Sequence, residues 1–404
     1  MSPIARANAA DTRPCAICDG VVKRHLWSQS FSSVGDGLLE GYAVVTCPRC
    51  GFCFADGLPD QVAFDRYYEV MSKYEYNEQG GRESDYDLAK FRQVVAFLKP
   101  HLRTKDERIL EVGCATGGLL NIIKAQGYDN VMGVDPSPSC SRAAEALYGV
   151  SVQTGTLSQM DVEVGSKDML VLGGVLEHVK DLKTALQRLS GLLAEGGRVL
   201  IAVPDASRFT EGEDAPFQEF SVEHINYFGP KSLTNLLARY GFECLALEQI
   251  MMAVSHRTTT PVILAMFQKG SQGGGQKGWV HDTVTPAALE SYIDGSKNAN
   301  QEIERKISAL VQERTPVVVW GAGAHTLRLL ETSCLSEARI IAYIDSNARF
   351  HGKNLKGIPI LAPEALRELS APILISSRVY QHEIAERIRK DMGLLNPIIE
   401  LYAI

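Results

Sequence analysis

Residues 108–120 read RILEVGCATGGLL, and this stretch decides the fold class. An apolar run at 109–112 feeds a glycine turn, and an apolar-periodic run follows from 119 to 125. The pattern predicts strand, tight turn and helix. Glycines at 113, 117 and 118 let the backbone approach a ligand where side chains would collide. The exposed N–H groups that open the next helix suit a carboxylate or phosphate. A second apolar run ends in Gly133-Val134-Asp135, with the acid 22 residues beyond Gly113. Asp135 is thereby placed at a strand's carboxyl end, where an acid accepts hydrogen bonds from ribose hydroxyls. A nucleoside cofactor held by an open α/β sheet is the expectation.

With 404 residues the chain suggests two or three domains, each able to bury a core. Its 45% apolar and 22% charged residues are ordinary for a globular protein. A net charge of −7 argues against a large nucleic-acid footprint, which needs a basic surface. No apolar run approaches the length of a membrane span, and residues 1–10 lack a signal-peptide core. The protein is read as cytoplasmic, with no membrane partner. Nine cysteines, four of them in two close pairs, suit a reduced compartment and a metal better than disulfides.

Glu111 before the glycines and Ala115 among them resemble motif I of the class I S-adenosylmethionine (SAM)-dependent methyltransferases. Further pieces follow in that family's order: GTL at 155–157, DMLVLGGVLEHV at 168–179 and LAEGGRVLIAVP at 193–204. The resemblance implies a doubly wound parallel sheet closed by an antiparallel hairpin, here the apolar runs 242–250 and 261–267. It also implies SAM as cofactor, contacted by Glu111, Gly113, Ala115, Gly117, Asp135, Pro136, Thr156, Leu157 and Gly173. Asp135, 155–157 and 172–174 all fall at strand carboxyl ends or just after them, where open α/β sheets bind ligands.

Upstream, Cys15-Ala-Ile-Cys18 and Cys47-Pro-Arg-Cys50 are two CxxC knuckles separated by 28 residues. Each turn presents two thiolates on one side, and two turns complete a tetrahedron around structural Zn²⁺. With all four places taken by sulfur, such a site is closed to catalysis. Cys53 is a surplus thiol, read as packed beside Phe52 and Phe54. An aromatic cluster follows: Phe64, Tyr67, Tyr68, Tyr74 and Tyr76. Its helical spacing reads as packing, and a tyrosine-lined lip above the cofactor, with Tyr74 and Tyr76 on the substrate, is the functional alternative. Residues 85–103 read as an amphipathic helix leading into the core.

The polar stretch KGSQGGGQKG at 269–278 marks a linker, and 286–313 reads as a helix. A second strand–turn–helix pattern then begins at 317–320 with GAGAHT at 321–326, and a second strand ends in Asp345. Thr326 replaces the third glycine of the dinucleotide fingerprint. A nicotinamide-cofactor site, a turn binding another phosphate ester such as a nucleotide-sugar pyrophosphate, and a purely structural domain all stay open.

The chain divides into a zinc-binding module (1–75), a methyltransferase core with its lead-in helix (76–269), a linker with a helical connection (270–314) and a Rossmann-like C-terminal domain (315–404). That order resembles the bacterial nucleotide-sugar C-methyltransferases of deoxysugar biosynthesis. The shared motifs are the two CxxC pairs, EVGCATG at 111–117, His178, Glu223-His224, GAGAHT at 321–326 and YIDSN at 343–347. The resemblance implies methylation of a carbon beside the ketone of a nucleotide-linked 4-keto-6-deoxysugar. Such a reaction needs a base, an enolate stabiliser and a sulfonium held in line. His224 is the candidate base, Glu223 or a nearby group would orient it, and His178 would polarise the ketone oxygen or bind the sugar. Gly321, Gly323 and His325 are candidate substrate contacts. The chain differs from the family around the sugar, with Ser221 for a tyrosine, Gly173-Gly174 for Asn and Thr, and His325 for a lysine. O- or N-methyl transfer to a polar small molecule is the alternative chemistry, and a zinc-stapled scaffold that only binds SAM is the non-enzyme reading.

Overall fold

The computed structural model describes residues 13–31, 38–70, 82–157, 159–256, 258–270 and 278–402. Tyr74, Tyr76, residues 1–12 and the glycine-rich 271–277 lie outside the described residues.

In chain order the first elements are β1 (Arg24–Ser30), β2 (Gly41–Thr46), β3 (Cys53–Asp56) and α1 (Gln61–Val70). The lead-in helix α2 (Asp85–Leu98) ends earlier than its periodicity suggests, because Pro100 follows in a short 3₁₀ turn. Its start is set by Ser84, whose hydroxyl accepts from the Asp87 N–H at 3.1 Å. The core continues with β4 (Ile109–Val112), α3 (Gly118–Lys124), β5 (Val131–Asp135), α4 (Pro138–Tyr148), β6 (Val152–Thr154), β7 (Lys167–Gly173), α5 (Leu182–Leu192) and β8 (Leu193–Pro204). Then come β9 (Asn226–Tyr227), α6 (Pro230–Arg239), β10 (Phe242–Ala253) and β11 (Thr259–Lys269).

Seven of these strands form one sheet in the order β10-β11-β8-β7-β4-β5-β6. The pairs from β8 through β6 are parallel, while β10 and β11 form the antiparallel hairpin expected at the edge. Every residue of β4 is buried, as a central strand covered on both faces requires. α5 and α6 cover one face, with Leu186, Leu189, Leu233 and Leu236 packed on Leu110 and Leu172. α2 and α3 cover the other, with Leu98 and Leu119 against Ile109 and Val171.

The N-terminal module is not a separate unit ending near residue 75. Its antiparallel sheet runs β1-β2-β3-β9, so its fourth strand comes from deep inside the methyltransferase range. Cys53 pairs with Tyr227 and Phe54 with Asn226. Phe52 and Phe54 face the same core as Leu172 and Phe228. Strand alternation sends Cys53 to the opposite face, beside Tyr42, Phe64 and Tyr227, rather than beside the two phenylalanines.

α7 (Val284–Glu313) then carries Leu289 and Ile293 into that second core and Ile303, Ile307 and Leu310 into the C-terminal domain. The remaining elements are β12 (Val317–Trp320), α8 (Ala324–Thr332), β13 (Ile340–Ile344), β14 (Asn354–Leu355), β15 (Ile358–Leu361), β16 (Ile373–Ile375), α9 (Gln381–Glu386) and β17 (Ile398–Glu400). Their sheet order is β14-β15-β13-β12-β16-β17, parallel except for β14. Among the described residues no helix is long and apolar enough to cross a membrane.

Candidate active site

A cleft of about 640 Å³ opens at the carboxyl ends of β4, β5 and β7. Its lining includes Glu111, Gly113, Ala115, Asp135, Pro136, Thr156, Leu157 and Gly173, together with Glu177, His178, Glu223 and His224. Of the nine residues named for the cofactor, only Gly117 stands back from it. Gly117 has φ +80° at the start of α3, and a Cβ there would press on Ala144 of α4 at 3.2 Å. Gly113 has φ +74°, and its Cβ would lie 2.8 Å from Val175 Cγ2. Ala115 is held left-handed at φ +46°, an uncommon state for a residue with a side chain.

What holds that turn is Asp135. Its carboxylate accepts the Ala115 N–H at 2.8 Å through Oδ2 and the Ser137 N–H at 2.9 Å through Oδ1. Burial raises its pKa, and those two donors pull it back. Glu111 is pushed further in the same direction: burial, then the nearby Asp135 and Glu83, raise its pKa well above the ordinary carboxylate value. Its Oε2 is buried without a hydrogen-bond partner among the described residues. Glu83, from the segment before α2, accepts the Thr116 hydroxyl at 2.7 Å and the Tyr148 hydroxyl. Buried carboxyls with spare acceptor capacity beside an open glycine turn fit SAM, which carries hydroxyl donors and positive charge.

The part of the lining that carries the histidines is built from two segments clamped together. The 3₁₀ turn Leu176–His178 follows β7, and the loop 219–225 precedes β9. The Ile225 N–H donates to the Glu177 carbonyl at 2.8 Å. The Asn226 side chain donates to the carbonyls of Leu176 at 2.7 Å and Val179 at 2.8 Å. Arg13, buried in the N-terminal module, donates in turn to Asn226 Oδ1 at 2.6 Å. The module thus reaches this part of the lining, the catalytic wall, through the Arg13–Asn226 bond and the β3–β9 pairing, and also through the Tyr42 hydroxyl, which donates to the Ser221 carbonyl at 2.7 Å.

The rings of His178 and His224 lie 5.1 Å apart. His178 Nδ1 faces the backbone carbonyl of Glu223 at 3.0 Å, which assigns that nitrogen as the N–H. The carboxylate beside His224 is Glu219, at 3.7 Å from Nδ1, whereas the Glu223 carboxylate accepts the Tyr67 hydroxyl at 2.8 Å. Burial works against the His224 imidazolium, but Glu219 and then Glu177 and Glu223 outweigh it, so its pKa is raised above 6.5. Of the aromatic cluster, Phe64 is core and Tyr68 lines the cleft, edge-on to His178 at 5.7 Å.

Glu177, Glu219 and Asn226 escaped the sequence reading, and Tyr67 was named only within the aromatic cluster. Glu177 was in view beside His178 in LEHV, and a carboxylate next to a cleft histidine is the signal that could have found it.

Gly321, Gly323 and His325 do not line this cleft. Their turn repeats the first one's device: the Ala322 N–H donates to Asp345 Oδ2 at 2.7 Å. His325 is packed inside, bonded to Tyr402 and Arg328, and burial with the Arg328 charge holds it neutral.

The four thiols of Cys15, Cys18, Cys47 and Cys50 are buried and lie within 4.8 Å of one another, with Cys15–Cys50 and Cys18–Cys47 at 3.4 Å. Zinc with about 2.3 Å bonds to four sulfurs sets them about 3.8 Å apart, so the cluster fits that ion.

Residues 82–247 match the family model described as "Methyltransferase domain", and residues 313–397 match "C2185-like, N-terminal". A "Probable S-adenosylmethionine-dependent methyltransferase" of Mycolicibacterium smegmatis is 28% identical over 153 residues, 38% of this chain and 58% of that protein. A counterpart in Mycobacterium tuberculosis is 25% identical over 164 residues, 40% and 58%. An O-methyltransferase of Aspergillus sclerotiorum is 36% identical over 104 residues, 24% and 39%. The chain thus spans somewhat over half the length of the mycobacterial relatives. Sheet order, glycine turn and family match agree that the chain carries a class I SAM-dependent methyltransferase domain.

Proposed function

We propose that the protein methylates a carbon beside the ketone of a nucleotide-linked 4-keto-6-deoxysugar, with His224 as the base. The observation that carries this reading is the pairing of His224 and His178, 5.1 Å apart, in the cleft that the glycine turn also lines. A carbon acid must lose a proton to become a nucleophile, and an imidazole tuned near neutral pH is suited to take it. His224 takes that proton, and Glu219 at 3.7 Å stabilises the imidazolium so formed. His178, which lines the cleft and is bonded through Nδ1 to the Glu223 carbonyl, is the group that polarises the developing enolate oxygen. Glu111, Asp135 and the 113–117 turn hold the cofactor. SAM supplies an electrophilic methyl group, and the protein contributes placement and electrostatics.

The zinc-binding cysteines are proposed as a structural staple, because no coordination place is left for substrate. His224→Asn tests the base: turnover is lost while binding of S-adenosylhomocysteine, measured by calorimetry, persists. Near-normal turnover would transfer the reading to O- or N-methylation, which the Aspergillus relative keeps in view and which needs little activation of the acceptor. Solvent deuterium incorporation at the acceptor carbon without SAM is an independent check on the carbanion.

A further inference from the structure

The catalytic wall holds more ligand capacity than proton transfer uses. Glu177, His178 and His224 each bring one ligating atom within 4.8 Å of the other two. Glu177 Oε1 is 3.8 Å from His178 Nε2. The Glu177 residue is 3% exposed, and its Oε2 has no hydrogen-bond partner among the described residues although it lines the cleft. A buried carboxylate oxygen left without a donor is costly unless a cation meets it.

The surroundings are those of a prepared ligand set. A ligating histidine is normally fixed by a carbonyl or carboxylate on its other nitrogen. His178 has the Glu223 carbonyl at 3.0 Å, whereas His224 Nδ1 is buried without a hydrogen-bond partner among the described residues, its nearest carboxylate being Glu219 at 3.7 Å. The bond from Ile225 to the Glu177 carbonyl, with those from Asn226 to Leu176 and Val179, locks the two segments that carry all three groups. Metal–ligand bonds of about 2.1 Å put neighbouring donors about 3.0–3.4 Å apart, so side-chain rotations of about an ångström would close the set.

We propose that Glu177, His178 and His224 form a second metal site, separate from the four thiols, that takes one first-row divalent cation. Two imidazoles and a carboxylate on one side, with the cleft open opposite, select borderline ions such as Co²⁺, Ni²⁺ or Zn²⁺ over Mg²⁺ or Ca²⁺. Ligation occupies a lone pair that His224 needs as a base. Occupancy therefore inhibits turnover, a consequence that rests on the base reading, whereas binding itself does not.

The test uses the full chain with its thiol site filled by zinc, titrated with Co²⁺ alone. One further equivalent binds, with d–d absorption and no thiolate charge-transfer band. Glu177→Gln and His224→Asn each weaken that equivalent by at least about tenfold, while His256→Asn, at an exposed histidine elsewhere, leaves it unchanged. Circular dichroism and retained S-adenosylhomocysteine binding show that the variants fold. The absence of a second equivalent, or one indifferent to both variants, overturns the site. If Co²⁺ binds as described and turnover holds or rises, the site stands and the base role of His224 falls.

Discussion

Replacing Asn226 by alanine cuts the one side chain that ties Arg13 of the N-terminal module to the turn carrying Glu177 and His178. Its amide donates to two carbonyls, at 2.7 and 2.8 Å, and its oxygen accepts from Arg13 at 2.6 Å. Asn226 is 3% exposed and Arg13 8%, so water does not readily replace what is lost. A buried polar group stripped of its partner costs about 1–3 kcal/mol. Arg13 keeps the Ile225 carbonyl at 3.3 Å, which offsets part of its share. The sum is about 3–5 kcal/mol, a large fraction of the about 5–15 kcal/mol that typically holds a protein folded. The expected outcome is an earlier unfolding transition and a kcat lowered at least about tenfold, since misplaced reacting groups are severely penalised. Affinity for S-adenosylhomocysteine should barely move, because Gly113, Ala115 and Asp135 are held by bonds of their own. Asn226→Asp separates the two halves of the effect: it keeps an acceptor for Arg13 but presents no donor to the carbonyls. Wild-type kcat and unfolding in Asn226→Ala would refute the idea that the module positions the catalytic wall.

Cys50→Ser should release zinc and lower turnover through the loss of β3–β9 pairing, which zinc analysis and activity measured together will show. Gly113→Val forces a side chain into Val175 at a positive φ and should lower S-adenosylhomocysteine affinity by at least about tenfold in calorimetry. The reactive form of His224 is neutral and its pKa is raised, so kcat should climb with pH through an inflection above 6.5. Glu219→Gln should move that inflection down, and an unmoved profile would remove His224 from the rate law. The same raised pKa makes the stability contribution of His224 complete below 6.5 and lost as pH rises through its folded value. Glu111 works in the opposite sense for an acid: the unfolded chain ionises near 4.5 and the native one resists, so stability falls as pH rises above 4.5. Glu111→Gln should therefore unfold later than wild type at pH 7.5 while binding cofactor more weakly.

Sequence alone determined the parts whose physics is local. The strand at 109–112, its glycine turn, the acid at 135 and the two CxxC knuckles are contiguous patterns, and each was found where it was expected. The hairpin β10–β11 and the strands β12 and β13 of the C-terminal sheet were legible for the same reason, as short apolar runs bounded by turns. The tertiary structure decided what depends on meetings between distant residues. Phe54 pairs with Asn226 across 172 positions, and Arg13 bonds that same asparagine from 213 positions away. No periodicity encodes such a pairing. It arises because β3 gains a fourth strand and the carbonyls of Leu176 and Val179 are satisfied by the Asn226 amide. The carboxylate that faces His224 likewise came from Glu219 rather than from its neighbour Glu223, because the loop's path, not spacing along the chain, sets which way each side chain points.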